Sequence, residues 1–141
     1  MATNDNLRAS LHIAGSGLAT QATRLRIISE NIANAQSTAA TPGGDPYVRQ
    51  TITFENALDR ASGFNLVKVK DIGRDRAPFR LEEDPGNPAA DAQGIVKMPN
   101  VDTLVELADL REANRTYEAN LQVAKQSSDL MNQTVALLKD V

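Results

Sequence analysis

The residues that could do chemistry in this 141-residue chain are few, and their spacing does not gather them into a site. His12 is the only histidine. It lies off the apolar stripe of its own segment and has no partner in the pattern, so it reads as a surface or interface side chain and not as a base or metal ligand. Glu82, Glu83 and Asp84 form an acidic run whose oxygens could take a hard divalent cation. Pro85 interrupts the run and no calcium-loop spacing follows, which favours a solvated acidic turn. Gly15-Ser16-Gly17 lacks both the preceding strand and the third glycine of a dinucleotide loop. The serines have no His or Asp arranged around them, and there is no cysteine for a thiolate site or a disulfide. No catalytic residue, metal site or cofactor is expected, and the chain reads as something other than an enzyme.

What the sequence does carry is two long stripes. Leu107, Leu110, Asn114, Tyr117, Leu121, Ala124, Ser128, Met131, Val135 and Leu138 recur at alternating steps of three and four. That spacing keeps one row on one helix face, as in a coiled-coil seam, and predicts a helix over residues 102–138. No Pro or Gly follows Val101, so the helix would run roughly 50–55 Å. A chain this short has no globular core that wide. Asn114, Ala124, Ser128 and the tip of Tyr117 make the seam weak, which leaves two readings: an ordinary amphipathic helix on a globular core, or a helix completed by partner helices.

Residues 6–35 repeat the alternation with Leu11, Ala14, Leu18, Gln21, Leu25, Ile28 and Ile32, and Leu7 starts the row one turn earlier. Arg26 and Glu30 form an i,i+4 pair on the outer face. Gly15 and Gly17 each cost about 1 kcal/mol against Ala in a helix interior, so this helix is expected to be marginal alone. They mark either a hinge or a close approach of a neighbouring backbone. Residues 1–40 carry three basic and two acidic side chains, net +1; residues 102–141 carry four and seven, net −3. The sign difference favours the two arms meeting, as a minor screened effect.

Between the arms lies an insert of different character. Pro42, Gly43, Gly44 and Pro46 break the chain into a loop. A period-2 segment follows, with Val48, Gln50, Ile52 and Phe54 on one side and Tyr47, Arg49, Thr51 and Thr53 on the other. Residues 56–63 read as a turn or short helix. Residues 64–72 form a second strand candidate, in which Lys68 and Lys70 blunt edge pairing. Residues 79–81 are a third short strand candidate, and residues 94–99 are a last short apolar segment. Thr103 and Glu106 have the spacing of a capping box that would start the last helix. The expected fold is mainly α with a small β insert: long N- and C-terminal helices forming a coiled-coil-like core, with a β-rich middle domain. The expected division is an arm at 1–36, a loop and β-rich domain at 37–101, and an arm at 102–141.

Composition agrees. The chain is 41% hydrophobic but only 4% aromatic, and much of the former is Ala, which fits a small body with arms better than one large core. A net charge of −3 offers no footprint for nucleic acid. No apolar run is long enough to span a bilayer, and the first residues lack the charged and apolar regions of a secretory signal.

Two stretches carry a family resemblance. Residues 29–35, containing Asn31, Ile32, Ala33 and Asn34, with the Pro/Gly loop, Tyr47 and Arg49-Gln50 after them, resemble the N-terminal motif of bacterial flagellar rod and hook proteins. Residues 84–102, ending in Pro99, Asn100, Val101 and Asp102, resemble the segment before the C-terminal helix of the proximal rod members. Residues 111–120 are similar to the C-terminal signature of the same axial family, and the long loop at 36–47 is similar to the proximal rod type. The family often has His where Asn87 stands and an aromatic where Ile95 stands.

The resemblance implies a structural subunit of the flagellar rod, the driveshaft that crosses the periplasm. It implies export through the flagellar export apparatus without a cleaved signal. It also implies arms that are largely disordered until assembly and then pack as coaxial helices. The expected partners are copies of the chain and other rod proteins, the export apparatus and the surrounding basal-body ring, with no nucleic acid and no membrane span. The expected interface residues are Leu11, Leu18, Leu25, Ile28, Ile32, Leu107, Leu110, Asn114, Tyr117, Leu121, Met131, Val135 and Leu138. The rival reading is a soluble coiled-coil adaptor or export chaperone in a small closed oligomer.

Overall fold

The computed structural model describes the backbone of residues 2–139 and the side chains of residues 5–137. The element order is α1 (Ala2–Ala33), β1 (Gln50–Leu58), β2 (Asn65–Arg74), β3 (Arg80–Glu83), β4 (Ile95–Met98) and α2 (Thr103–Lys139). Two long terminal helices thus flank a small β insert, and the insert is two separate two-stranded sheets, β1–β2 and β3–β4.

α1 ends where Asn34 turns back on the helix, its backbone N–H and its carboxamide both donating to the Glu30 carbonyl at 3.1 and 2.9 Å. α2 begins differently from its expected capping box. The Asp102 carboxylate, not Thr103, accepts from the backbone N–H groups of Leu104 and Val105 at 2.9 and 3.3 Å. An N-cap at Asp102 satisfies orphan donors of the first turn and places a negative charge at the positive end of the helix dipole. Glu106 is thereby free of any capping role, and its side chain turns inward instead.

The first strand runs on to Leu58, through residues expected to form a turn or short helix. Asn56 and Ala57 are poor strand formers, but pairing with β2 overrides that preference. The turn is closed by the Asp59 N–H donating to the Phe64 carbonyl at 2.8 Å, with Gly63 at φ +74°. The Ser62 hydroxyl donates to the Asp59 carboxylate at 2.6 Å and holds that carboxyl below its usual range. At the open end the Asp75 N–H donates to the Arg49 carbonyl at 2.8 Å. β3 and β4 pair antiparallel from Arg80↔Met98 to Glu83↔Ile95. Their connection turns at Gly94, at φ +78°, where an added Cβ would meet the Pro85 ring at 3.0 Å.

The chain divides into two compact units that cut across both helices and the β1–β2 hairpin: Met1–Arg24, Thr53–Asp71 and Glu112–Val141, and Leu25–Ile52 with Ile72–Arg111. In the second, Ala89, Val96 and Met98 form a core against which Ala39 and Ala90 pack. The Gly43 N–H donates to the Ala89 carbonyl at 3.0 Å and fastens the long loop to that core.

In the first unit the helices run antiparallel, Gly17 lying against Asn120 and Arg24 pairing with Glu112 at 3.5 Å. A Cβ on Gly17 would stand 2.9 Å from the Asn120 carboxamide, whereas one on Gly15 would meet nothing within 4 Å. The two glycines therefore answer oppositely to substitution. Gly15→Ala is expected to stabilise the folded helix pair by about 0.5–1 kcal/mol by removing a helix-interior glycine. Gly17→Leu is expected to destabilise it by about 1–3 kcal/mol through overpacking. Thermal melts followed by far-UV circular dichroism check both signs.

Candidate assembly surface and its polar anchor

The helix pair of the first unit meets through small and polar side chains. Ala14, Gly17 and Thr20 on α1, and Ala113 and Ser127 on α2, are buried. Ala113, Asn120 and Ser127 recur every seven residues and define the inner face of α2 there. Small side chains on facing rows let two backbones approach closely, and packing then favours them over larger neighbours one residue away.

The consequence for the expected interface residues is specific. Ile28, in the second unit, is buried at 4% exposure. Leu11, Leu18, Leu25, Ile32, Leu110, Tyr117 and Met131 are half-buried. Leu107, Leu121 and Val135 stand 41–50% exposed, and Asn114 is exposed too. The Leu138 side chain lies outside the described residues. Leu110, Tyr117 and Met131 thus flank the inner face, while the row through Leu107, Leu121 and Val135 points away from it. A second apolar row, Val123, Leu130 and Leu137, is 43–70% exposed. By helix geometry it lies roughly 160° around α2 from the first. Beside that seam on α1, Ser16, Ala19, Thr20 and Thr23 face Val67, Lys68 and Val69 of the hairpin across a cleft of about 310 Å³. The Val67 N–H donates to Ser16 Oγ there at 3.2 Å.

The second unit holds a polar cluster where the sequence pattern promised a cap and a family motif. Asn31, 1% exposed, uses its whole carboxamide. Its Oδ1 accepts from the Tyr47 hydroxyl at 2.9 Å and the Gln50 N–H at 2.8 Å. Its Nδ2 donates to the Gln50 carbonyl at 2.9 Å and to Glu106 Oε2 at 3.2 Å. Glu106, at 0% exposure, also accepts from Arg49 Nε at 2.6 Å. The Arg49 guanidinium reaches Asp75 as well, at 3.2 Å. Burial alone would lower the Arg49 pKa, but hydrogen bonds and charge from Glu106 and Asp75 outweigh it and raise the pKa. Tyr47 is pushed up by burial and by the charges of Glu30 and Glu106, against a lowering hydrogen bond to Gln50, so it remains a neutral donor.

The motif residues divide accordingly. Asn31 is the hub, Asn34 closes α1, Asp102 caps α2, and Pro99 and Val101 are buried. Asn100 Oδ1 accepts from the Arg49 N–H at 2.9 Å. Ile32 is half-buried and Ala33 is exposed. Sequence reasoning passed over Glu106 and Arg49 as functional residues. The available signal was a glutamate seven residues before Ala113, on the row that packing turns inward.

His12 is exposed and tilts against Phe64, with ring centroids 6.3 Å apart. Glu82 and Glu83 lie in β3, and Asp84 accepts from the Asn87 carboxamide at 3.3 Å. Among the described residues no three His, Cys, Asp or Glu side chains are placed to hold a metal ion. No helix among them is long and apolar enough to cross a membrane.

Comparison with known proteins places this geometry. A family model described as flagella basal body rod protein matches residues 11–39, most of α1 and the turn after it. A second, described as flagellar basal body rod FlgEFG protein C-terminal, matches residues 92–137, which hold β4 and nearly all of α2. The flagellar basal-body rod protein FlgC of Agrobacterium fabrum is 62% identical over 135 residues, covering 96% of this chain and 97% of its own. The chain belongs to the FlgC family of flagellar basal-body rod proteins. FlgC of Salmonella typhimurium is 40% identical over 125 residues, covering 89% of this chain and 92% of its own. FlgC of Borreliella burgdorferi is 36% identical over 151 aligned positions, covering 94% and 98%. FlgC is a structural component of the flagellar rod, and the two family models fall mainly on the long helices.

Proposed function

We propose that this FlgC-family chain is a subunit of the proximal rod that polymerises through its terminal helices and carries torque across the periplasm. The observation that carries the reading is the pair of unpartnered apolar rows on α2, Leu107–Leu121–Val135 and Val123–Leu130–Leu137. Each large apolar side chain buried against a neighbour contributes about 1.5–3 kcal/mol before the cost of ordering. Two rows on opposite flanks of one helix engage two different neighbours. Contacts between unlike patches extend into an open helical array instead of closing into a ring.

In this reading residues 1–36 and 102–141 form the coiled-coil-like inner core with copies of the chain and neighbouring rod proteins. Residues 37–101 make the outer contacts, including those with the surrounding basal-body ring. The half-buried Leu11, Leu18, Leu25 and Ile32 complete the core once neighbours cover them. Delivery is through the flagellar export apparatus. A helix seam built from Gly17, Thr20, Asn120 and Ser127 supports this, because it holds the arms weakly in the lone chain and allows folding to be coupled to assembly. Relatives named as rod proteins favour this reading over a soluble adaptor.

Circular dichroism, proton NMR and limited proteolysis of the dilute purified chain test it. Dynamic, protease-sensitive outer arms, residues 2–24 and 112–139, around a resistant body that keeps the Asn31–Arg49–Glu106 cluster are the expected result. Fully helical, protected termini in a small closed oligomer would overturn it.

A further inference from the structure

We propose that Asn31, Arg49, Asn100 and Glu106 are positioning residues that lock the foot of the β1–β2 hairpin to the helix ends, making that junction the path by which load passes between them. The load path rests on the rod reading; the lock itself does not.

The bonding at the foot is unusual in kind. The Asn31 carboxamide both donates to the Gln50 carbonyl and accepts from the Gln50 N–H, the double exchange that a neighbouring strand residue would make. A helix side chain thus stands in for a strand partner at the first residue of β1. Asn100 does the complementary work just before α2. Its Oδ1 accepts from the Arg49 N–H, and its Nδ2 donates to the carbonyls of Asp75 and Ala77 at 3.4 and 3.0 Å, beyond the end of β2. The beginning of one strand and the exit of the other are therefore held by one asparagine each. Arg49 then joins the strand to α2 through Glu106 and to the β2 exit through Asp75.

The energetics indicate geometry over stability. A buried ion pair is often matched or bettered by apolar residues of similar volume, so keeping a fully buried Glu106 opposite Arg49 gains little as adhesive. What a directional, saturated network does supply is a single allowed angle. Apolar packing would permit sliding, and a strand meeting a helix end through apolar packing alone would flex under a lateral force.

The test uses the apolar pair Arg49→Met with Glu106→Leu, and separately Glu106→Gln, which keeps the shape and removes the charge. Hydrogen exchange is read by mass spectrometry on the full-length chain, both free and in isolated basal bodies. Swimming is scored in dilute and in viscous medium. The expected result for both variants is exchange at the amides of positions 49 and 50 faster by about tenfold or more, with residues 113–127 unchanged. Neither amide bonds to the altered side chains, so this outcome reports coupling through the joint. Cells are expected to keep a normal number of flagella and to lose speed only in viscous medium. Unchanged exchange at 49 and 50 would overturn the lock, and so would an increase spread evenly along α2. Faster exchange with normal swimming under load would overturn the load path and leave the lock standing. If the chain is absent from isolated basal bodies, the rod reading fails, and exchange in the free chain alone decides the lock. If the apolar pair does not fold, Glu106→Gln supplies the same readout.

Discussion

Leu121→Asp is expected to abolish swimming and rod formation while leaving the isolated chain folded. Leu121 is 50% exposed in the lone chain and points away from the α1 seam. A charge there meets water before assembly, so the chain's own stability should change by no more than about 0.5 kcal/mol. In the rod the same position would be covered by a neighbour's apolar side chains, and burying an unpaired carboxylate costs several kcal/mol. Every subunit repeats the defect, so the penalty recurs along the whole polymer. Export of the variant should persist, because export depends on unfolding and not on the assembled contact. Leu121→Ala should give a milder version, with fewer rods and slower cells. Counting hook–basal bodies by electron microscopy, alongside the exported fraction and a motility ring, separates the outcomes. Motile cells with normal rods carrying Leu121→Asp would refute the proposed interface.

The second large effect lies in the fold itself. Asn31→Leu is expected to cost about 4 kcal/mol, because a similar-sized apolar side chain removes four hydrogen bonds whose partners are half-buried at Tyr47 and Gln50 and fully buried at Glu106. The stranded groups are the Tyr47 hydroxyl, the Gln50 N–H and carbonyl, and one oxygen of Glu106. Asn34→Ala, three residues on in the same motif, loses contacts only to the Glu30 carbonyl and Ser37 near the helix end. It should cost no more than about 1 kcal/mol. Urea titration of purified chains measures the difference directly. Equal losses at the two asparagines would show that the motif acts through helix propensity alone.

These residues also show where sequence reasoning reached and where it stopped. Both helices were legible because regular apolar spacing runs from Leu7 to Ile32 and from Leu107 to Leu138, which leaves little alternative. The first strand was legible up to Phe54, and its extension to Leu58 was hidden because pairing with β2, not local preference, creates it. The seam was half legible. Hydropathy picks out large side chains, and so the row through Leu107, Leu121 and Val135 reads as a seam for partner helices, which the lone chain leaves untested. Packing chose the row of Ala113, Asn120 and Ser127 beside it, since small residues permit the closer approach. Glu106 was misread for a related reason. Its distance from Thr103 fits a cap, and only the three-dimensional arrival of Arg49, fifty-seven positions away, reveals an ion pair. Asn31 stood out only as part of a motif; its four bonds come from residues sixteen to seventy-five positions distant.

Neither compact unit is a continuous piece of chain: the first joins three stretches and the second two, and each includes part of α1, part of the middle and part of α2. A nick in the loop at residues 36–46 therefore cuts the covalent thread without deleting any element from either unit. The two fragments would carry complementary halves of the helix pair, held as a strand and a template are held, by recognition along their length. An intact band on a native gel can coexist with two bands under denaturing conditions. A subunit cut there retains every surface needed to recombine with its own missing part.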